Sequence, residues 1–344
     1  MPFDSSVWLA TDPATNLPTT PVRAENMSHV CRDGEECMRI WEYEFLVEDV
    51  NLYSELARAP VPVGALRATT RDRPARSARY REFLAPGGVG DELRLVLRAD
   101  GDPWASVGLF RERGQPAFSP DEAELVASLS KPLGLAVREH ARREAETPVT
   151  TEGTGPGLML FSPDGELLSV NDDACAWLEE LLPSAGQDCD SFGVKLPMVA
   201  AATLARARAI AEERDHRSAR ARVRTAAGRW LVCHASCLRG ADGTVGDTAL
   251  VLEPAQASEI APMIIQAYGL TDREREITGL ISLGFGTAEI ADRLYLSPHT
   301  VRDYVKAIFD KVGVSSRGEL VARFFAEHYA ATHFDPNGHA EVDD

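Results

Sequence analysis

The sequence predicts an α+β chain in which two antiparallel sheets with flanking helices precede an all-α C-terminal module. Three observations predict it. Strand-like runs bounded by Gly, Pro and Asp turns fall into two groups, within residues 1–144 and 158–255. A Thr-, Gly- and Pro-rich stretch without apolar periodicity, residues 145–157, separates them and reads as a linker. Four helix-start signals then crowd into residues 270–330, after a connecting segment 256–269 and before a tail, 331–344.

In the first group residues 5–10 read as a strand and residues 51–58 and 77–83 as helices. Residues 92–98 and 105–111 read as a hairpin across Asp100-Gly-Asp-Pro103. Ser119 as N-cap, with Pro120 at the first helical position, opens a long amphipathic helix through Leu125, Leu129, Leu133 and Val137 to Arg143.

The second group opens Gly157-Leu-Met-Leu-Phe161, turns at Ser162-Pro-Asp-Gly165 and continues to Asn171. Pro presets one turn dihedral and Gly supplies the positive one, so this is a hairpin signal with a mechanism. Helices follow through Ala174, Trp177, Leu178 and Leu181, and over residues 200–214. Three strand-like runs, 219–225, 229–238 and 248–253, are separated by turns at Gly228 and Asp242-Gly243.

In the C-terminal module Thr271 with Glu274 forms a capping box, and Gly284 and Gly286 end the helix it starts. Thr287 opens a second helix carrying Ile290, Ala291 and Leu294 at helical spacing, and Ser297 followed by Pro298 opens a third. Ser316 with Glu319 repeats the capping box for a fourth. On the third helix Val301, Val305, Ile308 and Val312 form one stripe, which must be buried. His299, Arg302, Asp303, Lys306 and Asp310 point the other way. A helix-turn-helix needs such a helix, because its N-terminal residues reach base edges in the groove. The alternative is the solvated face of an ordinary helical bundle.

The segments Arg273-Glu-Arg-Glu-Ile277, Glu289-Ile-Ala291, Ser297-Pro-His-Thr-Val-Arg302 and Lys311-Val-Gly-Val-Ser-Ser-Arg317 occur in an order that resembles the LuxR-type (GerE-like) helix-turn-helix, across residues 266–330. The resemblance implies a four-helix module that binds double-stranded DNA as a homodimer. It places Arg302, Asp303 and Lys306 at base-contacting positions, and Thr300 and Lys311 where the family touches phosphates or packs beside them. His299 lies on the same face. Two departures stand out. Thr287 and Ala288 replace a polar, often Asn-Lys, pair, which removes a phosphate contact and lowers the expected affinity per module; Tyr304 replaces a usual His.

Residues 158–255 show two strands, helices and three strands, an order that resembles a PAS domain. Residues 1–144, an antiparallel sheet ending in a long helix, resemble a GAF domain without its usual leading helix. Both resemblances imply sensory domains able to hold a small ligand. No residue pattern commits the chain to haem, flavin or bilin, so the cofactor is unknown at this stage.

The net charge of −17, and 8 Lys+Arg against 10 Asp+Glu in residues 259–330, argue against binding through the overall field. DNA binding is expected to rest on a local patch, Arg302, Lys306, Lys311 and Arg317, and on pairing two modules, with steep salt dependence. No stretch approaches the roughly 18 apolar residues of a membrane span, and the N-terminus lacks a signal-peptide pattern, so a cytoplasmic protein without a membrane partner is expected. The six cysteines match no zinc motif or disulfide framework. Cys233 and Cys237 share one strand face and read as packing residues, with a redox pair or metal site as the alternative. His29, His140 and His216 have no supporting carboxylate pattern, and Trp41 and Trp104 read as core. Without a phosphate loop, kinase motif or nucleophile elbow the chain does not read as an enzyme. The function expected is sequence-specific DNA-binding transcription regulation, with upstream domains sensing a small ligand or partner. The alternatives are a protein-interaction sensor scaffold localised to DNA and a haem- or redox-binding sensor.

Overall fold

The structure is a computed structural model and describes residues 1–27, 34–145, 155–182 and 193–326. Contacts divide it into two compact units, residues 1–138 with 153–254, and residues 139–152 with 255–344.

The first unit begins with β1 (Ser5–Thr11), β2 (Pro18–Glu25), α1 (Gly34–Phe45), α2 (Tyr53–Leu56), β3 (Val63–Ala65) and α3 (Leu66–Thr69). The expected hairpin follows as β4 (Val89–Ala99) and β5 (Asp102–Glu112), then α4 (Pro120–Ala145). These strands form an antiparallel sheet in the order β2-β1-β5-β4-β3. Strand alternation sends Leu93, Leu95 and Leu97 to one face, where they form a core with Val107, Leu109 and Val126 of α4. Gly134 lets α4 come this close, since a Cβ there would lie 2.6 Å from the Arg98 backbone.

The second half of the unit comprises β6 (Gly157–Phe161), β7 (Leu167–Val170), α5 (Asp172–Leu181), α6 (Met198–Ala211), β8 (Arg220–Arg224), β9 (Trp230–Arg239) and β10 (Val245–Pro254). Its sheet, β7-β6-β10-β9-β8, repeats the strand order of the first. Asn171 joins hairpin to helix: its Oδ1 accepts from Leu158 N at 2.7 Å and, as the α5 N-cap, from Ala174 N at 3.0 Å.

One hydrophobic cluster runs through both sheets. At its centre α6 is almost wholly buried; its run of alanines, Ala200, Ala201, Ala202, Ala205, Ala207 and Ala209, admits neighbours on every side. It packs on α1, β2, β8, β9 and β10. The sheet edges are tied as well. Thr19 and Thr20 donate their hydroxyls to Arg222 O at 2.6 Å and Arg224 O at 3.1 Å, and Arg222 pairs with the buried Asp12 at 2.8 Å. Side-chain hydroxyls thus occupy an edge that would otherwise be open to strand addition.

Several expectations needed revision. β2 was unforeseen because Pro18 and Pro21 interrupt its pattern, which an edge strand tolerates. The helix α1 was also missed. The helices expected over 51–58 and 77–83 shrink to α2 and a π-helical turn, Tyr80–Leu84. Residues 146–154 of the expected linker lie outside the described residues.

The second unit contains α7 (Ala257–Ala267), α8 (Asp272–Ser282), α9 (Thr287–Leu294), α10 (Pro298–Val312) and α11 (Arg317–Val321), which runs into a π-helical turn, Ala322–Ala326. Leu320 of α11 and Phe324 of the turn that follows are buried inside this unit, Phe324 with the Tyr268 ring edge-on at 5.5 Å. The side chain of Phe325 and all of Tyr329 lie outside the description. No helix among the described residues is long and apolar enough to cross a membrane.

Candidate nucleic-acid interface

The surface is built on α10. Ser297 caps the helix by accepting from Thr300 N at 3.0 Å, Pro298 occupies the first helical position, and Gly313 at φ 73° ends it in the left-handed region. Val301, Ile308 and Val312 are buried and Val305 half-buried, so the inner stripe packs as its spacing predicts. α8 is fixed by the expected capping box: Glu274 N donates to Thr271 Oγ1 at 3.3 Å, and Thr271 N to Glu274 Oε2 at 2.6 Å. Two caps differ from expectation. Gly286 rather than Thr287 is the N-cap of α9, with Gly286 N donating to Glu289 Oε2 at 2.7 Å. Glu319 accepts from Ser315 N at 2.8 Å, one residue before the Ser316 cap.

The charged residues separate into free and engaged. Arg302 and Lys306 are exposed, and neither has a hydrogen-bond or ion-pair partner among the described residues. His299 Nδ1 lies 3.1 Å from Asp303 Oδ2 one turn on, and both side chains are exposed. Thr300 is half-buried with its hydroxyl 2.8 Å from Ser297 Oγ, so it belongs to the cap. Lys311, expected at or beside phosphate, donates to Glu274 Oε2 at 2.6 Å and Gly269 O at 3.4 Å, bracing α10 against α8. Burial pushes the Glu274 carboxyl up, but hydrogen bonds from Lys311 and Thr271 outweigh it and hold the group below the usual carboxylate range. Arg317 donates to Phe285 O at 2.8 Å and Thr287 Oγ1 at 2.9 Å, holding α11 to the α8–α9 turn. Of the four cations of the expected patch, Lys311 and Arg317 are thus engaged within the module, and Arg302 and Lys306 have no partner among the described residues.

Tyr295 was missed. It sits in the turn before α10 at φ 55°, a conformation unusual for an aromatic residue, and is 96% exposed. It extends the candidate surface beyond the N-terminus of α10.

In the other unit Trp41 and Trp104 are buried as expected. Cys233 and Cys237 are free thiols; burial pushes the Cys233 thiol up to about 12, which suits packing and not redox chemistry. Cys175 is disulfide-bonded, a link to which the cysteine spacings gave no pointer. Among the described residues no cluster of three or more His, Cys, Asp or Glu is placed to hold a metal; His29 lies outside them.

With this geometry in hand, residues 269–324 match the family described as bacterial regulatory proteins, luxR family (GerE). They are a LuxR-family helix-turn-helix domain. The chain is 45% identical over 49 residues to the DNA-binding transcriptional activator DevR/DosR of Mycobacterium tuberculosis, covering 14% of this chain and 23% of that one. It is 41% identical over 58 residues to the transcriptional regulatory protein DesR of Bacillus subtilis, covering 17% and 29%. The chain thus spans about a quarter of the length of these curated relatives. Among solved structures, a Vibrio cholera VqmA–ligand–DNA complex shares 15% identity over 51% of this chain and 84% of that one, at a TM-score of 0.23. A superposition that loose carries no weight.

Proposed function

We propose that this protein is a transcription regulator that binds double-stranded DNA as a homodimer through α10 and is controlled by its N-terminal unit. The observation that carries the reading is the pair of exposed, unpartnered cations, Arg302 and Lys306, on the outer face of a helix whose inner stripe is buried in a LuxR-family domain. Two free cations per module give few phosphate contacts, which favours two modules acting together. Arg302 reads a base edge and Lys306 meets phosphate or base, while Thr300 and Lys311 shape the helix. The two sheets of the N-terminal unit serve as GAF-like and PAS-like sensors whose ligand shifts the availability of the paired recognition helices.

Selection of a random-sequence duplex library by the full-length protein at two salt concentrations tests this. A partly palindromic site is expected. Failure of both the full chain and residues 258–344 to enrich any sequence overturns the DNA-binding reading. Equal DNA affinity and dimerisation with and without residues 1–255 overturns the regulatory one.

A further inference from the structure

Each helix of the C-terminal unit has to stop and redirect the chain, and a residue in the left-handed region is a common way to do so. After α7, α8 and α10 that residue is a glycine: Gly269 at φ 66°, Gly284 at φ 86° and Gly313 at φ 73°. After α9 it is Tyr295, at φ 55° and ψ 43°. The turn is closed in the ordinary way, with Leu296 N donating to Ala291 O at 2.9 Å. Glycine has no Cβ to crowd the backbone in this conformation, so a tyrosine here carries strain that the other three stops avoid.

The side chain contributes nothing to the fold in exchange. It is 96% exposed, against 75% for Leu283, the next most exposed large hydrophobic side chain among the described residues. Neither its ring nor its hydroxyl has a partner among those residues. A strained residue that holds its side chain in solvent points to a use outside the chain.

Its place in the fold says what lies outside. In a helix-turn-helix the first helix crosses the DNA backbone and the N-terminal end of the second enters the major groove, so the turn between them passes the rim of the groove. Tyr295 is two residues before Ser297, the cap of α10, and two residues of chain span at most about 7 Å. The groove is about 12 Å wide, which brings its bordering phosphates within reach of a side chain so near the helix end.

We propose that Tyr295 is a backbone contact of the DNA interface, its hydroxyl donating to a phosphate oxygen at the rim of the groove and its ring lying against the adjoining sugar. The proposal rests on the DNA-binding reading above. Such a contact fixes the position of α10 without reading sequence. Being uncharged, it releases no condensed cation from the DNA, so it adds affinity without steepening the salt dependence.

Fluorescence anisotropy with the full-length protein, the selected duplex and its single-base variants tests this at several salt concentrations. Tyr295→Phe is expected to weaken binding about tenfold in the homodimer, about threefold for one hydrogen bond in each module, equally for all duplexes and with the salt slope unchanged. Tyr295→Gly should weaken it further while the unfolding midpoint stays level or rises, because the backbone strain is relieved. Wild-type affinity in Tyr295→Phe, a loss confined to one base pair, or a lowered unfolding midpoint in Tyr295→Gly overturns the proposal and leaves the DNA-binding reading standing. A wild-type protein that binds no duplex overturns both.

Discussion

Arg94 in β4 and Arg302 in α10 carry the same guanidinium in opposite settings. Arg94 is 1% exposed and bonded to two carboxylates, whereas Arg302 is exposed and has no partner among the described residues. A buried charge persists only where the chain supplies every counter-group, so around Arg94 the protein completes its own electrostatics. An exposed cation with no partner is left to be completed from outside. Residues 269–324 hold eight Lys or Arg and eight Asp or Glu, so the net charge of −17 lies entirely in the rest of the chain. Attraction to DNA is therefore confined to a few side chains, and identity matters more than total charge.

The largest effect should come from breaking the buried side. Arg94→Met strands Glu44 and Glu92 without their shared cation and is expected to destabilise the first unit by about 3–5 kcal/mol in urea unfolding. Arg302→Met should leave the unfolding midpoint unchanged. On the exposed side, Arg302→Ala is expected to remove about 1–3 kcal/mol of discrimination at one base pair, read by competition between the selected duplex and single-base variants. A uniform loss across all variants would reassign Arg302 to phosphate.

Lys311 sharpens the contrast because it sits on the recognition helix yet has its charge engaged within the module. Lys311→Met should lower the stability of the helical unit by roughly 1 kcal/mol, a modest figure because the lysine is 38% exposed and screened by solvent. The salt slope of DNA binding should stay as it was. Its partner sets a pH window: a carboxylate held below its ordinary value stabilises the fold above the unfolded pKa of about 4.3, and that contribution disappears as pH falls through the folded value. Glu274→Gln should flatten the acid limb of the unfolding curve, monitored by circular dichroism. The smallest effect concerns salt itself. With two free cations per module, a dimer is expected to show a slope of log affinity against log salt no steeper than about −4, against about −7 for the four-cation patch. Lys306→Ala removes one cation from each module of the dimer and should reduce it by about 2 if that side chain meets phosphate.

These contrasts were only partly visible in the sequence. Caps and turns are local, so Thr271, Ser297-Pro298 and the Pro163-Asp164-Gly165 hairpin read directly. The engagement of Lys311 and Arg317 depends on partners 37 and 30 to 32 residues away, which spacing along one helix does not reveal. The surroundings of strand β4 are hidden in a different way. Alternation of Glu92 and Arg94 with leucines suggests a solvated face, but Glu44 and Arg79 arrive from other elements to cover it. Likewise β2 hid behind its prolines, and the union of both sheets in one core rests on threonine hydroxyls and small alanines that carry no distinctive pattern.

The bonds from Thr19 and Thr20 to β8 also bear on how the chain is made. Their partners lie 203 and 204 residues further along, so the outer strand of the first sheet emerges from the ribosome long before its cover exists. At about 5–20 residues per second, synthesis leaves that edge waiting on the order of 10–40 s. During this interval the nascent chain is most open to wrong pairing with a neighbour on the same message. Slowing elongation between residues 25 and 220 should therefore raise the aggregated fraction more than slowing it after residue 254.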